Sequence, residues 1–162
     1  IALVCSRDLN EWEDWLCSIF KARGLSVLVT TAQEHDRAMG IVQVLTHQTT
    51  EVLGRTIEKL DVDVQKTLEF TSPIYLMELL MTARHFAQSS ELYASIQMNN
   101  PETGKILQAL QDAGNELRDV VLSNDRVAFS KIFDDVHNHF GSFSEQALEQ
   151  SSFLIDRLVE RG

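Results

Sequence analysis

One arginine lies in a segment whose other residues predict burial. Residues 73–88 are apolar on nearly all sides of a predicted helix, which is typical of a core or interface helix. Arg84 adds a guanidinium that stays protonated, and its five donors form a planar fork suited to a carboxylate. Spacing alone still favours the ordinary interpretation, an arginine near a helix end that snorkels outward or pairs with an acid such as Glu78.

A polar stripe forms the second candidate. Asp36, Gly40, Gln43, His47 and Thr50 recur every three or four residues, which predicts one face of a helix. Gly40 would let a ligand or another backbone approach, and Gln43 and His47 could offer a donor and an acceptor to a polar ligand. The alternative is a solvated face, or a buried histidine satisfied by a carbonyl, and spacing alone favours that alternative.

The remaining reactive side chains predict neither a metal site nor a nucleophile. His137 and His139 alternate and cannot share a helix face, and His35 lacks further ligands at metal spacing. Cys5 lies on a predicted buried strand, and Cys17 has no neighbouring base. We therefore expect no metal ligands and no complete catalytic group in this chain.

The segment before residue 30 has the pattern of a small β-α-β unit. Apolar runs at 1–5 and 25–30 flank a predicted helix at 11–23, which ends at Gly24. Two strands joined by one helix are normally parallel neighbours in a larger sheet. We expect residues 1–30 to be the end of an α/β domain whose other part, with any glycine-rich phosphate loop, lies upstream.

Everything from Thr31 onward predicts helix. Thr31-Ala-Gln-Glu34 has the form of a capping box, and the helix that it starts could run to about residue 60. Further helices are predicted at 62–70, 73–88, 91–98, 101–122, 125–140 and 143–161. The expected fold class is mainly α: an all-helical domain at 31–162, preceded by the β-α-β remnant at 1–30.

Composition narrows the class of protein. The 162 residues carry a net charge of -10, which disfavours binding to nucleic acid and to anionic membranes. No apolar run is long enough to span a bilayer, and two isolated cysteines are typical of a reduced, cytoplasmic protein. Because the helix at 73–88 has no polar face, we expect a homodimer built on the helical domain.

Several ordered motifs resemble prephenate dehydrogenase, and the resemblance covers essentially the whole chain. It is most similar to the C-terminal part of the bifunctional chorismate mutase–prephenate dehydrogenases. The motifs are Glu34-His35-Asp36, Gln43-Val-Leu-Thr-His47, Ser72-Pro73-Ile74-Tyr75, Glu78-Leu79, Arg84-His-Phe-Ala-Gln88, Leu92-Tyr93-Ala94 and Asn138-His-Phe-Gly141.

The resemblance implies an N-terminal Rossmann-type domain that binds NAD and a helical C-terminal domain that forms the dimer. The family oxidatively decarboxylates prephenate to 4-hydroxyphenylpyruvate on the route to tyrosine. Its catalytic histidine and its NAD site belong to the domain outside this chain. We therefore expect no catalytic or cofactor-binding residues here, and no activity from this chain alone.

The resemblance also assigns substrate-binding residues. Arg84 matches the family arginine that binds the ring carboxylate of prephenate, which reverses the preference for a structural role. His47 matches a histidine that lines the same pocket, and Gln43 lies one turn before it. Tyr93 matches a pocket residue near the dimer interface. His35 and Asp36 match the start of the interdomain helix, where a structural role is expected.

Two alternatives remain open at this point. Leu76 stands where some bifunctional relatives carry arginine, so their feedback by tyrosine does not transfer, and a substrate such as 4-amino-4-deoxyprephenate fits equally well. A non-catalytic helical dimerisation module is the other alternative.

Overall fold

The structure, a computed structural model, describes residues 2–4 and 10–160, with side chains from residue 12 onward. The prediction for Cys5 therefore lies outside the described residues. Strand β1 (Ala2–Val4) pairs in parallel with β2 (Leu28–Thr30), with Ala2 opposite Leu28, and helix α1 (Asn10–Ala22) connects them. The predicted parallel strand–helix–strand order is thus confirmed.

The rest of the described chain is helical, as predicted. The elements are α2 (Ala32–Met39), a π-helical segment (Gly40–Leu45), α3 (Thr46–Lys59), α4 (Val64–Thr67), a 3₁₀ turn (Leu68–Phe70), α5 (Pro73–Phe86), α6 (Ser90–Asn99), α7 (Thr103–Leu122), α8 (Arg126–Phe140) and α9 (Phe143–Val159). The predicted fold class, mainly α, is correct.

Local side-chain caps set the starts of several described helices, among them α2 and α5. The Thr31 hydroxyl accepts the Glu34 N–H, and the Glu34 carboxylate accepts the Thr31 N–H at 3.0 Å, which completes the predicted capping box. That backbone hydrogen bond, together with the Thr31 hydroxyl, lowers the pKa of Glu34. Helix α5 begins in the same way, because the Ser72 hydroxyl accepts the Tyr75 N–H and Pro73 occupies the first helical position.

The long helix predicted from Thr31 to about residue 60 is not a continuous α-helix. The π-helical segment Gly40–Leu45 interrupts it, and a π turn holds more residues than an α turn. The buried residues in this stretch are Gly40 and Val44, whereas Val42 is 60% exposed. The prediction that Gly40 and His47 lie on one polar stripe assumed α-helical spacing throughout. That spacing does not hold across the π-helical segment.

By contacts the chain divides into two compact units. The first comprises residues 1–48 and 90–107, and the second comprises 49–89 and 108–162. In the first unit Val44 is fully buried and Ile106 nearly so, close to Gly40. In the second unit the buried side chains are polar, Thr82 and His85.

The last three helices carry many exposed apolar side chains. Examples are Val121, Val127, Phe133, Val136, Phe140, Leu148 and Phe153, each about half exposed or more. The residues lining an apolar groove of about 380 Å³ are Leu117, Ile132, Phe133, Val136, His137, Phe140 and Ser144. Over the described part of the chain, no helix has the length and apolar character needed to cross a bilayer.

Candidate functional site

The first candidate site is built around the π-helical segment. Its first residue, Gly40, is buried against α7 and the turn before it, and a Cβ there would meet the Ile106 Cδ1 at 2.6 Å and the Glu102 Cβ at 3.3 Å. Only a residue without a side chain allows this approach. At the other end of the segment the Thr46 hydroxyl donates to the Ile41 carbonyl at 3.4 Å. The wide turn is therefore held by packing at its start and by a side-chain hydrogen bond at its end.

His47 and Tyr93 lie together in this unit. The imidazole of His47, on α3, meets the Tyr93 ring, on α6, edge to face at 4.8 Å between centroids and 68° between planes. Both side chains are half-buried, so each keeps part of its surface toward solvent. An edge-to-face pair of this kind restrains the orientation of both rings.

Gln43 lies inside the π-helical segment and is half-buried. Sequence spacing predicted it one α turn before His47. The extra residue of a π turn rotates the following residues by about 100° relative to an uninterrupted α-helix. The direction in which Gln43 faces is thus set by the wide turn, a feature that residue spacing did not indicate.

Arg84 belongs to the second unit, near the C-terminal end of α5. Its side chain is exposed and makes no hydrogen bond or ion pair with any described residue, and the expected partner Glu78 is exposed as well. Three other arginines pair within or beside their own helices: Arg55 with Glu58, Arg118 with Asp119 and Arg157 with Glu160. Arg84 shares its lack of an ion pair among the described residues with Arg23, Arg37 and Arg126, but it alone of these lies on the apolar helix α5. Arg84 does not pair with Glu78, whereas its exposure agrees with the other structural interpretation, an arginine near a helix end that points outward.

A partly buried hydrogen bond between His85 and Glu51, next to Arg84 in the sequence, was not predicted. The His85 Nε2 lies 3.0 Å from the Glu51 Oε1, and the His85 side chain is 9% exposed. The pair joins α3 to α5 within the second unit, across 34 residues of chain. No local spacing rule connects residues so far apart, which is why the sequence carried no signal for it.

His35 and Asp36 contact each other, and the backbone of Asp36 also bonds a distant turn. The His35 Nδ1 lies 3.2 Å from the Asp36 Oδ1, and the Asp36 carbonyl accepts the Asn100 side-chain amide at 2.9 Å. Within the residues that the structure describes, no three histidine, cysteine or acidic side chains are grouped as metal ligands.

Comparisons with known proteins bear on the whole chain. The sequence model described as "Prephenate dehydrogenase, dimerization domain" matches residues 31–135. A "Probable arogenate/prephenate dehydrogenase" from Methanocaldococcus jannaschii is 38% identical over 150 residues, which is 93% of this chain and 34% of that protein. The "T-protein" of Haemophilus influenzae is 33% identical over 157 residues, 97% of this chain and 42% of that protein.

A second "T-protein", from Enterobacter agglomerans, is 28% identical over 155 residues, 96% of this chain and 42% of that protein. The chain thus spans less than half the length of these curated relatives. The family model covers well over half of the chain, and it begins at Thr31, where the helical part starts. This chain belongs to the prephenate dehydrogenase family and contains its dimerization domain.

Proposed function

We propose that this chain is the dimerisation and substrate-binding part of an NAD-dependent prephenate dehydrogenase, which converts prephenate to 4-hydroxyphenylpyruvate. The family match and the relatives' names support the reaction class. Residues 31–162 are the proposed helical domain. Residues 1–30 are the proposed end of a Rossmann-type domain, and its exposed side chains Trp12, Trp15 and Leu28 are consistent with coverage by further structure.

The observation that carries the substrate proposal is the unpaired guanidinium of Arg84. Prephenate is a dianion, and an acidic protein needs a local, permanently charged donor to hold it. A guanidinium with no carboxylate among the described residues can receive one from a ligand without first breaking an ion pair. In this proposal Arg84 binds the ring carboxylate and contributes binding and orientation.

Gln43, His47 and Tyr93 are further proposed substrate-binding residues, and all three belong to the first unit. The edge-to-face contact of His47 with Tyr93 restrains an imidazole that can donate or accept a hydrogen bond. Gln43 has an amide that can do both. These polar groups suit a ligand that carries a hydroxyl group and carboxylates.

The sequence lacks the glycine motif that is typical of dinucleotide binding. Its seven glycines include no G-x-G-x-x-G spacing, and the described strands β1 and β2 have three residues each. NAD is therefore proposed to bind a part of the protein outside this chain, and the same holds for the catalytic histidine. We expect no turnover of prephenate with NAD by this chain alone.

A homodimer through the helical domain is the proposed assembly. Helix α5 exposes Ile74, Leu80 and Met81, and α7–α9 expose the apolar side chains described above. A surface so rich in large apolar groups is typical of an interface that a partner covers. Sedimentation of the full-length protein should show a dimer at micromolar concentration, and Phe133→Asp should weaken it. A monomeric wild type would contradict the proposal.

Substitutions at Arg84 in the full-length enzyme test the substrate proposal. Arg84→Ala removes a bidentate, charge-assisted contact, which should raise KM for prephenate by about 30- to 1000-fold, equivalent to about 2–4 kcal/mol. Arg84→Lys should raise KM by less than Arg84→Ala, because lysine keeps the positive charge but cannot form the planar fork. Arg55→Ala is the matched control, since it removes one exposed positive charge from the same unit.

Two outcomes would decide against this assignment. An unchanged KM in Arg84→Ala would return the residue to a structural role. Equal losses in Arg84→Ala and Arg55→Ala would indicate a general effect of net charge. Turnover of 4-amino-4-deoxyprephenate in preference to prephenate would keep the carboxylate contact and change the substrate.

A further inference from the structure

Asn100 uses both ends of its side-chain amide. Its Nδ2 donates to the Asp36 carbonyl at 2.9 Å, and its Oδ1 accepts the Glu102 N–H at 2.8 Å. The first contact joins residues 64 positions apart in the chain. The half-buried amide therefore ties the turn between α6 and α7 to the last turn of α2, within the first unit.

The carbonyl that Asn100 holds lies at a specific point in the backbone. The Asp36 carbonyl also accepts the Gly40 N–H, and Gly40 is the first residue of the π-helical segment. The hydrogen bond from Asn100 lies where the α-helix changes to the π-helical segment. We expect it to oppose a shift of that segment to neighbouring residues along the chain. Such a shift by one residue would rotate the residues between the old and new turn by about 100°.

The same hydrogen bond relates the helices that carry the proposed substrate residues. Asn100 directly follows α6, which carries Tyr93, and it holds the segment that leads through Gln43 to His47. The Thr103 hydroxyl donates to the Gln97 carbonyl and braces the same turn from the other side. The two side-chain hydrogen bonds of Asn100 go to the backbone of Asp36 and of Glu102, so we expect its effect on the His47 and Tyr93 rings to pass through the backbone.

We propose that Asn100 is a positioning residue for the substrate site, holding the π-helical segment in register so that His47 meets Tyr93. This inference rests on the proposed function, since it assigns Asn100 its role through residues proposed to bind prephenate. A π-helical segment at such a place is in keeping with the frequent location of π turns at functional sites.

The test uses the full-length enzyme with variants at Asn100 and its neighbour. Asn100→Ala removes both hydrogen bonds. Asn100→Asp keeps an acceptor for the Glu102 N–H and loses the donor to Asp36, so it is the milder variant if Asn100→Ala fails to fold. Asn99 is exposed and ends α6, so Asn99→Ala and Asn99→Asp are matched controls for side-chain loss and for added charge.

Two readouts separate positioning from binding. The NMR signals of the His47 ring carry a ring-current shift from Tyr93, which reports their contact without any substrate. KM and kcat for prephenate report the proposed site. Both Asn100 variants should move the His47 signals and raise KM about tenfold or more with a smaller change in kcat, because misplaced groups lose binding and orientation. The Asn99 variants should change neither.

Each contrary outcome has a distinct meaning. Unmoved His47 signals in both Asn100 variants would overturn the positioning role. Moved signals with an unchanged KM, while Arg84→Ala raises KM, would overturn the role and leave the proposed function standing. If the wild-type full-length enzyme does not turn over prephenate, the proposed function fails, and the His47 signals alone then decide whether Asn100 positions these rings. If Arg84→Ala leaves KM unchanged, only the assignment of Arg84 to the ring carboxylate fails.

Discussion

Substitution of Gly40 by alanine tests the close packing at the start of the π-helical segment. Gly40 has φ of -55° and ψ of -43°, a conformation that alanine adopts readily. On backbone preference alone, alanine in place of glycine should stabilise a helix by about 1 kcal/mol. Any net loss of stability must therefore come from the space around the new methyl group.

That space is too small. The added Cβ would lie 2.6 Å from the Ile106 Cδ1, against about 3.5 Å for a relaxed carbon–carbon contact, a shortfall of about 0.9 Å. Ile106 is 8% exposed and has little room to turn away, and the Glu102 Cβ at 3.3 Å limits movement on the other side. Overpacking of this kind costs about 1–3 kcal/mol.

Gly114 in α7 offers the matched control, because a Cβ there would have no neighbour within 4 Å. The helix preference for alanine is common to both variants, so the difference between their free energies of unfolding isolates the packing cost. We expect Gly40→Ala to be less stable than Gly114→Ala by about 1–3 kcal/mol. Urea unfolding at one fixed protein concentration measures this, since a dimer's stability depends on concentration.

A double variant sharpens the test. Ile106→Val removes the Cδ1 that the new methyl group would meet, so it should cost less in the Gly40→Ala background than in the wild type. A Gly40→Ala midpoint equal to or above that of Gly114→Ala would refute the packing argument. Additive effects of Gly40→Ala and Ile106→Val would show that the overlap lies elsewhere.

Two further predictions concern the caps and turns. The pKa of Glu34 is lowered, so its contribution to stability is complete above the unfolded pKa near 4.5 and is lost as the pH falls through the lower folded value. NMR titration should find the pKa of Glu34 below its ordinary value in the wild type and closer to that value in Thr31→Ala. Equal pKa values in the two proteins would show that the capping box does not lower the pKa of Glu34. The Tyr75 hydroxyl forms a hydrogen bond with the Thr67 hydroxyl at 2.6 Å. Tyr75→Phe removes that bond and should lower the free energy of unfolding by about 0.5–1.5 kcal/mol. An unchanged midpoint of urea unfolding would count against the bond.

Features that depend on a few neighbouring residues could be predicted from the sequence. The caps at Thr31 and Ser72 act within three residues of the helices that they begin, and they start those helices where the sequence indicated. The parallel pairing of the two short strands follows from the helix that joins them. The family motifs identified the chain for a related reason, because residue types at set separations are visible without any structure.

The tertiary structure decided the features that depend on distant residues. The π-helical segment begins where Gly40 packs against Ile106, and the Asn100 contact with Asp36 spans 64 residues. The contact of His47 with Tyr93 likewise joins residues that are far apart in the sequence. The pairing of Arg84 with Glu78 that the sequence left open does not form, because residues six apart on one α-helix face different sides. Helical spacing predicts neighbours along one regular helix, and it cannot detect a change of helix type that another part of the chain imposes.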